Sequence, residues 1–371
     1  MLEFLSLSNF KSIKDENFEL ASLTLFSGLN GMGKSSIIQS LLLLRQSYEQ
    51  HMLPNVGLSL SGEYVSLGNG KDVLFNNAEI ESINIEACWQ ESECNLAFNY
   101  VENSNMQPIN HSSEIEGSPF NEALFVSKFQ YLSAERISPK SFYDVSEYAI
   151  NTRRSLGIKG EYTAHFLSQH GAGTLAIDKL QHPKATSISL IDNVNAWMSD
   201  ITPGTKVITK LIPEINQASL HYQFTSSSEL TELFRPENTG FGLTYVLPVV
   251  TAILSSKPGD LLIIENPESH LHPSGQVIIA KLMAIAAENG VQIIVETHSD
   301  HILNGVRTSI KGKDIKPENA LIYFLSRDIM ANEHCANVDK VTIDSKGRID
   351  HWPVDFFDEW DKSLSTLLKE D

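Results

Sequence analysis

The sequence is poor in cysteine, in positive charge and in long apolar runs, and each shortage argues against a class of protein. It has three cysteines in 371 residues, too few for a disulfide framework, which favours a reducing compartment. Lys and Arg number 28 against 46 Asp and Glu, a formal net charge of −18, so a long basic surface for nucleic acid is not expected. The sequence contains neither an apolar run of about 18 residues nor a basic start followed by an apolar stretch. We therefore expect a soluble, cytoplasmic protein without a signal peptide.

What the sequence does contain is a pattern of strands and helices typical of an α/β protein. Strand patterns at residues 1–10 and 20–28 precede an apolar helix at 34–50. Short strand-like runs from 57 to 101 indicate an antiparallel meander. Later in the chain, the continuous apolar strands LLIIEN and VQIIVE flank a helix, which indicates a parallel sheet.

The stretch GLNGMGKSS, residues 28–36, fits the phosphate-binding pattern G-x-x-x-x-G-K-[ST] at every fixed position. It follows a predicted strand and opens a predicted helix, which is the context that the motif requires. Glycines let successive backbone N–H groups point inward at an anion, and the helix N-terminus adds partial positive charge. The Lys34 amine is expected to reach the β and γ phosphates and the Ser35 hydroxyl to ligate Mg²⁺. The residues predicted to contact ATP are Asn30, Gly31, Gly33, Lys34, Ser35 and Ser36.

Two later strands end in residues that suit the same nucleotide. A phosphate-binding loop needs an acid on the Mg²⁺ side, at the end of a neighbouring strand, and LLIIEN supplies Glu265. Glu265 and Ser35 are therefore the predicted metal ligands. The second strand is followed by THS, so that His298 is expected to contact a γ-phosphate or the attacking water.

In this order, the motifs resemble the ABC-type ATPase heads of the SMC and recombination-repair class. More closely, the chain resembles the prokaryotic OLD-like AAA/ABC ATPases of phage-defence loci. The stretches that carry the resemblance are NFKSIKDENFEL, LTLFSGLNGMGKSS, YLSAERISP, NTGFGLTYVLPVV, IIENPESHLHPSGQ, VETHSDHILNGVR and WPVDFFDEW. The last stretch suggests a compact subfamily that ends in a short domain. The resemblance covers both ends of the chain and is weakest from 140 to 230.

The resemblance implies an α/β fold of the P-loop NTPase class: an ABC-type ATPase head with an antiparallel β subdomain and a helical insert. The expected division is lobe I at 1–136, a mainly helical insert at 137–235, lobe II at 236–320 and a short C-terminal domain at 321–371. Within the insert, TKVITKLI and ASLHYQFT are predicted to pair as a hairpin. The C-terminal part is predicted to hold a short hairpin and a final helix.

In such heads a signature loop lies before the acid-ended strand and contacts the γ-phosphate held by the other subunit. The matching stretch is ENTGFGLTYVL, in which Asn238, Gly240 and Gly242 are the candidate ATP contacts. The usual serine-glycine-glycine form is absent, so an ordinary glycine loop before a core helix stays open. Neither Gln46 nor Gln130 is preferred as the residue of the glutamine loop.

The chain departs from ABC heads where the magnesium-side Asp is usually followed at once by a catalytic Glu. Glu265 takes the first place, and Asn266 takes the second. An amide can position water but cannot accept a proton as a base, so the nearest carboxylate, Glu268, is the expected base, unless hydrolysis is slow. The predicted catalytic residues are therefore Glu265, Glu268 and His298.

Other candidates have simpler explanations. His270 and His272 could bind zinc, but no further ligand lies at metal-site spacing, so they are expected in the dimer-contact loop after the acid-ended strand. Arg136 suits either a phosphate or interdomain contact or an ordinary salt bridge. Cys88 and Cys94 are expected to be small core residues.

These motifs and the resemblance predict an ATPase that binds ATP with Mg²⁺, hydrolyses it slowly and forms a head-to-tail homodimer. The resemblance implies a separately encoded effector, a nuclease or toxin, because the segment after His298 is too short for the Toprim nuclease of OLD proteins. Antiphage defence follows by analogy alone. An ATP-binding sensor with negligible hydrolysis is the alternative from a different class. A DNA-repair head is opposed by the net charge and by the lack of coiled-coil heptads.

Overall fold

The computed structural model describes residues 1–226, 229–328, 330, 333–353, 356, 364 and 366–368. The strands are β1 Leu2–Phe10, β2 Ile13–Glu19, β3 Leu23–Gly28, β4 Gly57–Ser59, β5 Ser82–Trp89, β6 Glu93–Asn99, β7 Met106–Pro108, β8 Glu114–Glu116, β9 Phe129–Leu132, β10 Phe142–Asp144, β11 Thr205–Ile212, β12 Gln217–Ser226, β13 Glu229–Leu230, β14 Leu261–Glu265, β15 Gln292–Glu296, β16 Ala320–Ser326 and β17 Asn337–Val341. The helices are α1 Lys34–Glu49, α2 Gly70–Val73, α3 Thr163–His170, α4 Leu190–Ile201, α5 Phe241–Leu254, α6 Pro273–Glu288 and α7 Asp300–Gly312. Of the helices in the described part of the chain, none is long and apolar enough to cross a membrane.

A six-stranded sheet with the order β17-β16-β3-β15-β14-β9 forms the centre of the fold. The pairs from β16 to β9 are parallel, and β17 is antiparallel to β16. Parallel strands all end at one edge, so the residues that follow β3, β9, β14 and β15 meet there. This edge positions the candidate site.

The two faces of the central sheet belong to different hydrophobic clusters, as the alternation of side chains along a strand requires. Leu25, Ile264 and Val295 point to the face that is covered by α5, α6 and α7. Phe26, Ile263 and Ile294 point to the other face, which packs on α1 and on a second sheet. Coverage on both faces explains why β14 and β15 are apolar at nearly every position.

The second sheet is antiparallel, with the order β2-β1-β5-β6-β8. The predicted meander is confirmed for β5 and β6, which are adjacent along the chain and paired. It is wrong for residues 57–75, because β4 leaves this sheet and pairs with β7, and Gly70–Val73 form α2 instead of a strand. The pattern of residues 57–101 cannot show such partners, because strand alternation gives the faces of a strand but not its neighbour.

The segment 137–235 holds α3, α4 and a π-helix at Tyr148–Thr152, together with a sheet in which β12 pairs with β10, β11 and β13. The predicted hairpin is confirmed as β11 and β12. The segment therefore combines helices with a sheet, where the sequence predicted mainly helices.

The C-terminal boundary also differs from the expectation, because β16 begins at Ala320 and pairs in parallel with β3 in the central sheet. Residues from 321 onward thus start inside the main fold. The predicted short hairpin is present, with Ile343 bridged to Ile349. The predicted final helix in FFDEWDKSLSTLL lies mostly outside the described residues.

Candidate functional site

The turn between β3 and α1 requires glycine at both fixed positions of the motif. Gly28 has φ +137°, and a Cβ there would lie 2.1 Å from the Leu325 carbonyl oxygen. Gly33, at the start of α1, has φ +99°, and its Cβ would lie 2.6 Å from Ser12 Oγ. The first turn of α1 has neither a side-chain cap nor an acid. The helix N-terminus is thus available to an anion.

A cavity of about 570 Å³ lies beside this turn, within the volume range of small-molecule sites. The six loop residues predicted to contact ATP all line it: Asn30, Gly31, Gly33, Lys34, Ser35 and Ser36. The sequence interpretation missed the rest of the lining, which consists of Lys11, Ser12, Gln39, Lys71, Asp72, Leu74, Asn76, Glu296 and His334. Three lysines and a helix N-terminus around one cavity, in a chain of net charge −18, suit a polyphosphate.

Lys34 is held inside the turn, with its side chain almost fully buried. Its amine donates to the carbonyl oxygens of Gly28 at 2.9 Å and Leu29 at 2.7 Å. Burial lowers the pKa of the amine, and the nearby carboxylates of Glu296 and Glu268 oppose that shift. The amine is therefore placed among the backbone groups that would surround a phosphate.

Ser35 contacts a carboxylate that the sequence interpretation did not select. Its hydroxyl donates to Oε1 of Glu296 at 3.0 Å. Burial, followed by the charge of Glu265, raises the pKa of Glu296 to about 7. Glu296 ends β15, the strand between β3 and β14. The signal was present in the sequence, because VQIIVE is acid-ended in the same way as LLIIE.

Glu265 ends β14 directly opposite Glu296 in the parallel register. Its Oε2 accepts a hydrogen bond from the backbone N–H of Ala134 at 2.9 Å. Its carbonyl oxygen accepts one from the guanidinium of Arg136 at 2.8 Å. Glu265 is therefore at the expected strand end, but the hydroxyl of Ser35 pairs with Glu296 instead.

After Glu265 the chain turns back through Asn266, which has φ +45°. The N–H of Asn266 donates to the Glu296 carbonyl at 2.8 Å. This turn brings Glu268 back to the edge of the sheet, where its Oε1 accepts from the backbone N–H of His298 at 2.8 Å. Burial raises the pKa of the Glu268 carboxyl. The turn thus places Glu268, three residues beyond β14, beside His298, which lies two residues beyond β15.

His298 is exposed at this edge, two residues beyond the end of β15. Partial desolvation by neighbouring residues and the positive charge of Lys34 lower the pKa of its imidazole, while a hydrogen bond with the Gly28 backbone raises it. The structure therefore brings His298, the glycine turn and Glu268 together, although they are far apart in sequence.

The residues present fit ATP with Mg²⁺. Three buried acceptor oxygens have no hydrogen-bond partner among the described residues: Asn266 Oδ1, Glu268 Oε2 and Glu296 Oε2. Buried acceptors usually find donors or cations, and carboxylate, hydroxyl and amide oxygens are the ligands that Mg²⁺ and its waters take. Of these residues, Glu296 lines the cavity beside the phosphate-binding turn, where a magnesium nucleotide requires an acid. Glu268 is close enough for its charge to act on the Lys34 amine, but neither Glu268 nor Asn266 lines the cavity, nor do Glu265 and His298.

The glycine loop 238–242 lies away from this cavity, since none of the described residues lining it comes from the loop. Gly240 caps α5, and a Cβ at Gly240 would meet no atom within 4 Å. Phe241 beside it is 57% exposed and packs against His270, with ring centroids 6.0 Å apart. Gly240 and Phe241 therefore face solvent, away from this cavity, whereas a Cβ at Gly242 would lie 2.5 Å from the His270 carbonyl oxygen.

The two glutamines and the histidine pair of the sequence interpretation have structural partners. Gln46 and Gln130 are buried and hydrogen-bond to backbone groups, so neither faces the cavity. His272 caps α6 through Ser274, and His270 packs on Tyr245.

Among the described residues, the three-residue group with metal-ligand spacing is Glu86, Cys88 and Glu93, which lie on β5 and β6 away from the cavity. Cys94 is buried as expected, whereas Cys88 is half-buried.

The fold is that of a P-loop ATPase with an ABC-type head, as predicted. The family model described as "AAA domain, putative AbiEii toxin, Type IV TA system" matches residues 97–304, more than half of the chain. The chain belongs to this AAA-domain family. A second model, "AAA domain", matches residues 5–87, and "Protein of unknown function (DUF3696)" matches residues 315–367. No curated protein matches the chain in sequence.

Solved structures of SMC heads share the fold. An Smc head bound to the C-winged helix domain of ScpA aligns with a TM-score of 0.53 and 14% identity, covering 92% of this chain and 98% of that one. An Smc head with an extended coiled coil, bound to the C-terminal domain of ScpA derived from Pyrococcus furiosus, aligns with a TM-score of 0.51 and 14% identity, covering 99% of each chain. The chain is thus an AAA-domain protein whose fold is that of SMC heads.

Proposed function

We propose that the protein binds ATP with Mg²⁺, hydrolyses it slowly, and uses the nucleotide to close a head-to-tail homodimer that regulates a partner protein. The main observation in favour of a nucleotide site is the hydrogen bond between Ser35, in the phosphate-binding turn, and Glu296. A hydroxyl that follows the P-loop lysine and an acid on a neighbouring strand end are the pair that holds Mg²⁺ in this class.

The proposed roles follow from the positions of the side chains. Lys34 and the N–H groups of the turn bind the phosphates, and Ser35 with Glu296 and Glu265 holds Mg²⁺, which neutralises charge on the phosphates when bound. Glu268 accepts the proton of the attacking water, because Asn266 has no basic group. His298 contacts the γ-phosphate or that water.

The dimer is supported by the outward glycine loop. Gly240 has open space around its Cβ position and Phe241 is exposed, so a second subunit could approach both. In the proposed dimer, Asn238, Gly240 and Gly242 contact the nucleotide of the opposite subunit. ATP would then bind the closed state better than the open one, which is the condition for a ligand to shift the equilibrium.

The partner is proposed by analogy. The two similar SMC heads are each bound to a domain of ScpA, and the family description names a putative toxin of a toxin–antitoxin system. We propose a separately encoded nuclease or toxin as the effector, with antiphage defence as the setting. The second candidate function, an ATP-binding sensor with negligible hydrolysis, is favoured by the amide at position 266.

Phosphate release and mass measurements test the proposal together. Wild-type protein is expected to release phosphate from ATP only with Mg²⁺ and to double its mass in light scattering with ATP, whereas Lys34→Ala does neither. Glu268→Gln is expected to bind ATP and dimerise but to turn over much more slowly than wild type, with a measurable residual rate. ATP-dependent dimerisation without phosphate release from the wild type would select the sensor, and a mass that ATP does not change would contradict the closing dimer.

A further inference from the structure

Arg136 is a buried arginine whose charge is only partly satisfied. Its side chain is 4% exposed, and one nitrogen, Nη2, donates to the Glu265 carbonyl at 2.8 Å. The other two, Nε and Nη1, are buried and have no hydrogen-bond partner among the described residues. Removing a guanidinium from water is costly unless its N–H groups are paired. The presence of an arginine at this buried position therefore needs an explanation other than packing.

Arg136 is surrounded by the turn Glu265–Glu268, here called the acidic turn, and by the start of α5. Burial lowers the pKa of the guanidinium to about 10, and the side chains whose charges oppose this shift are, in decreasing order, Glu265, Tyr131, Glu268 and Tyr245. In return, the charge of Arg136 lowers the pKa of Glu268 against the effect of burial. Arg136 is thus close enough to Glu268 and to Tyr245, one turn into α5, for their charges to act on it, while its hydrogen bond is to the Glu265 carbonyl.

The segment that carries Arg136 also touches the insert. Two residues before it, the N–H of Ala134 donates to Glu265 Oε2 at 2.9 Å. The backbone N–H groups of Ser133 and Ile137 donate to the carbonyl oxygens of Ile158 and Lys159 at 2.9 and 2.8 Å. The short segment 133–137 is therefore hydrogen-bonded on one side to the acidic turn and on the other to the segment 137–235.

We propose that Arg136 is a positioning residue that holds the Glu265–Glu268 turn against α5 and the insert, and so keeps Glu268 in place for ATP hydrolysis. This inference rests on the proposed function, since it assumes that Glu268 acts as the base. It adds a route by which a partner on the insert or on α5 controls turnover: movement of the segment 133–137 displaces the acidic turn without touching the phosphate-binding loop.

The test compares Arg136→Met and Arg136→Lys with Arg154→Met. Arg154 is a matched control in the same part of the chain, half-buried and paired with Asp260 at the start of β14, the opposite end of the strand from Glu265. Arg136→Met is expected to lower kcat by about 10- to 100-fold while KM for ATP changes by less than about twofold. Arg136→Lys should recover part of the loss, and Arg154→Met should keep the wild-type kcat.

A double-mutant cycle separates positioning from a general loss of stability. In a Glu268→Gln background, Arg136→Met is expected to reduce the residual kcat by less than about threefold, because both changes act on one group. Equal losses in the two backgrounds, a wild-type kcat in Arg136→Met, or a parallel rise in KM would each overturn the inference.

Hydrogen exchange gives a readout that does not depend on turnover. The N–H groups of Ser269, Leu271 and His298 donate to Asn266 and Glu268 within or onto the turn. In nucleotide-free Arg136→Met, peptides covering 266–271 should exchange about tenfold faster or more than in wild type and Arg154→Met. Unchanged exchange there would refute the positioning role. If the wild type binds no ATP, the proposed function fails, and this measurement still decides whether Arg136 holds the turn.

Discussion

The hydroxyl of Ser35 lies 3.0 Å from Oε1 of Glu296. Glu265 is the residue paired with Glu296 on the adjacent strand β14, but it accepts a hydrogen bond from the N–H of Ala134 instead. Two acids thus end adjacent parallel strands, and only one contacts the proposed magnesium ligand of α1. The geometry therefore favours Glu296 as the main magnesium ligand, whereas the sequence motif had pointed to Glu265.

We predict that Glu296→Gln impairs magnesium use more than Glu265→Gln does. An amide of the same shape keeps the hydrogen bond to Ser35 but loses the charge that a divalent cation requires. The Mg²⁺ concentration for half-maximal phosphate release should rise by about tenfold or more in Glu296→Gln, with ATP binding in the absence of Mg²⁺ unchanged. A larger rise in Glu265→Gln would restore the assignment made from the sequence alone.

The glycine at the end of β3 allows a sharp test of the turn. Gly28→Ala places a Cβ 2.1 Å from a backbone oxygen of Leu325 at φ +137°, so the central sheet must shift locally. We expect the free energy of unfolding to fall by about 2–4 kcal/mol, together with weaker ATP binding. Gly31→Ala is the control, because its Cβ would meet no atom within 4 Å and only the strain of φ +78° remains. Chemical denaturation of both variants measures the difference, and equal losses would contradict the steric cause.

The sequence predicted the contiguous parts of the site and missed the parts that depend on strand neighbours. The six residues from Asn30 to Ser36 that line the cavity lie in one motif, whose local geometry follows from its glycines. The acid at the end of VQIIVE was a visible signal for Glu296, but only the pairing of β15 with both β3 and β14 shows that Glu296, and not Glu265, lies next to Ser35. Arg136 was a candidate contact residue, but its partner Glu265 could not be predicted, because no periodicity shows that β9 lies beside β14.

The insert and the C-terminal part show the same limit. The hairpin of β11 and β12 could be predicted because its strands are separated by a short turn. The pairing of β16 with β3 joins residues about 300 positions apart, so the boundary at 321 was drawn inside the central sheet. Long-range pairing depends on the topology of the whole chain, which local patterns do not encode.

The proposed dimer predicts a specific role for an exposed aromatic residue. Phe241, at the first position of α5 and 57% exposed, is expected to be buried by the second subunit, so Phe241→Ser should weaken ATP-dependent dimerisation by about tenfold or more. Phe142→Ser is the matched control, since Phe142 is 44% exposed on β10 of the insert. Sedimentation with ATP and Mg²⁺ measures the mass. ATP binding at low protein concentration should be equal in both variants, and a dimer of wild-type strength in Phe241→Ser would place the contact elsewhere.

The last prediction concerns pH and a histidine outside the nucleotide site. His165 on α3 is fully buried, its Nδ1 accepts the N–H of Ser146 at 3.2 Å, and burial lowers the pKa of its imidazole below 6.5 despite the neighbouring Glu147. The neutral form is therefore favoured in the folded state, so the unfolded chain binds the proton more readily. The contribution of this group to stability is complete above about pH 6.5 and is lost as the pH falls toward the folded pKa.

Wild-type protein should thus lose stability between about pH 7 and 5 more steeply than His165→Gln, whose amide can accept the same hydrogen bond without titrating. Denaturation midpoints measured across that range decide the point, and parallel curves for the two proteins would show that His165 does not carry the effect.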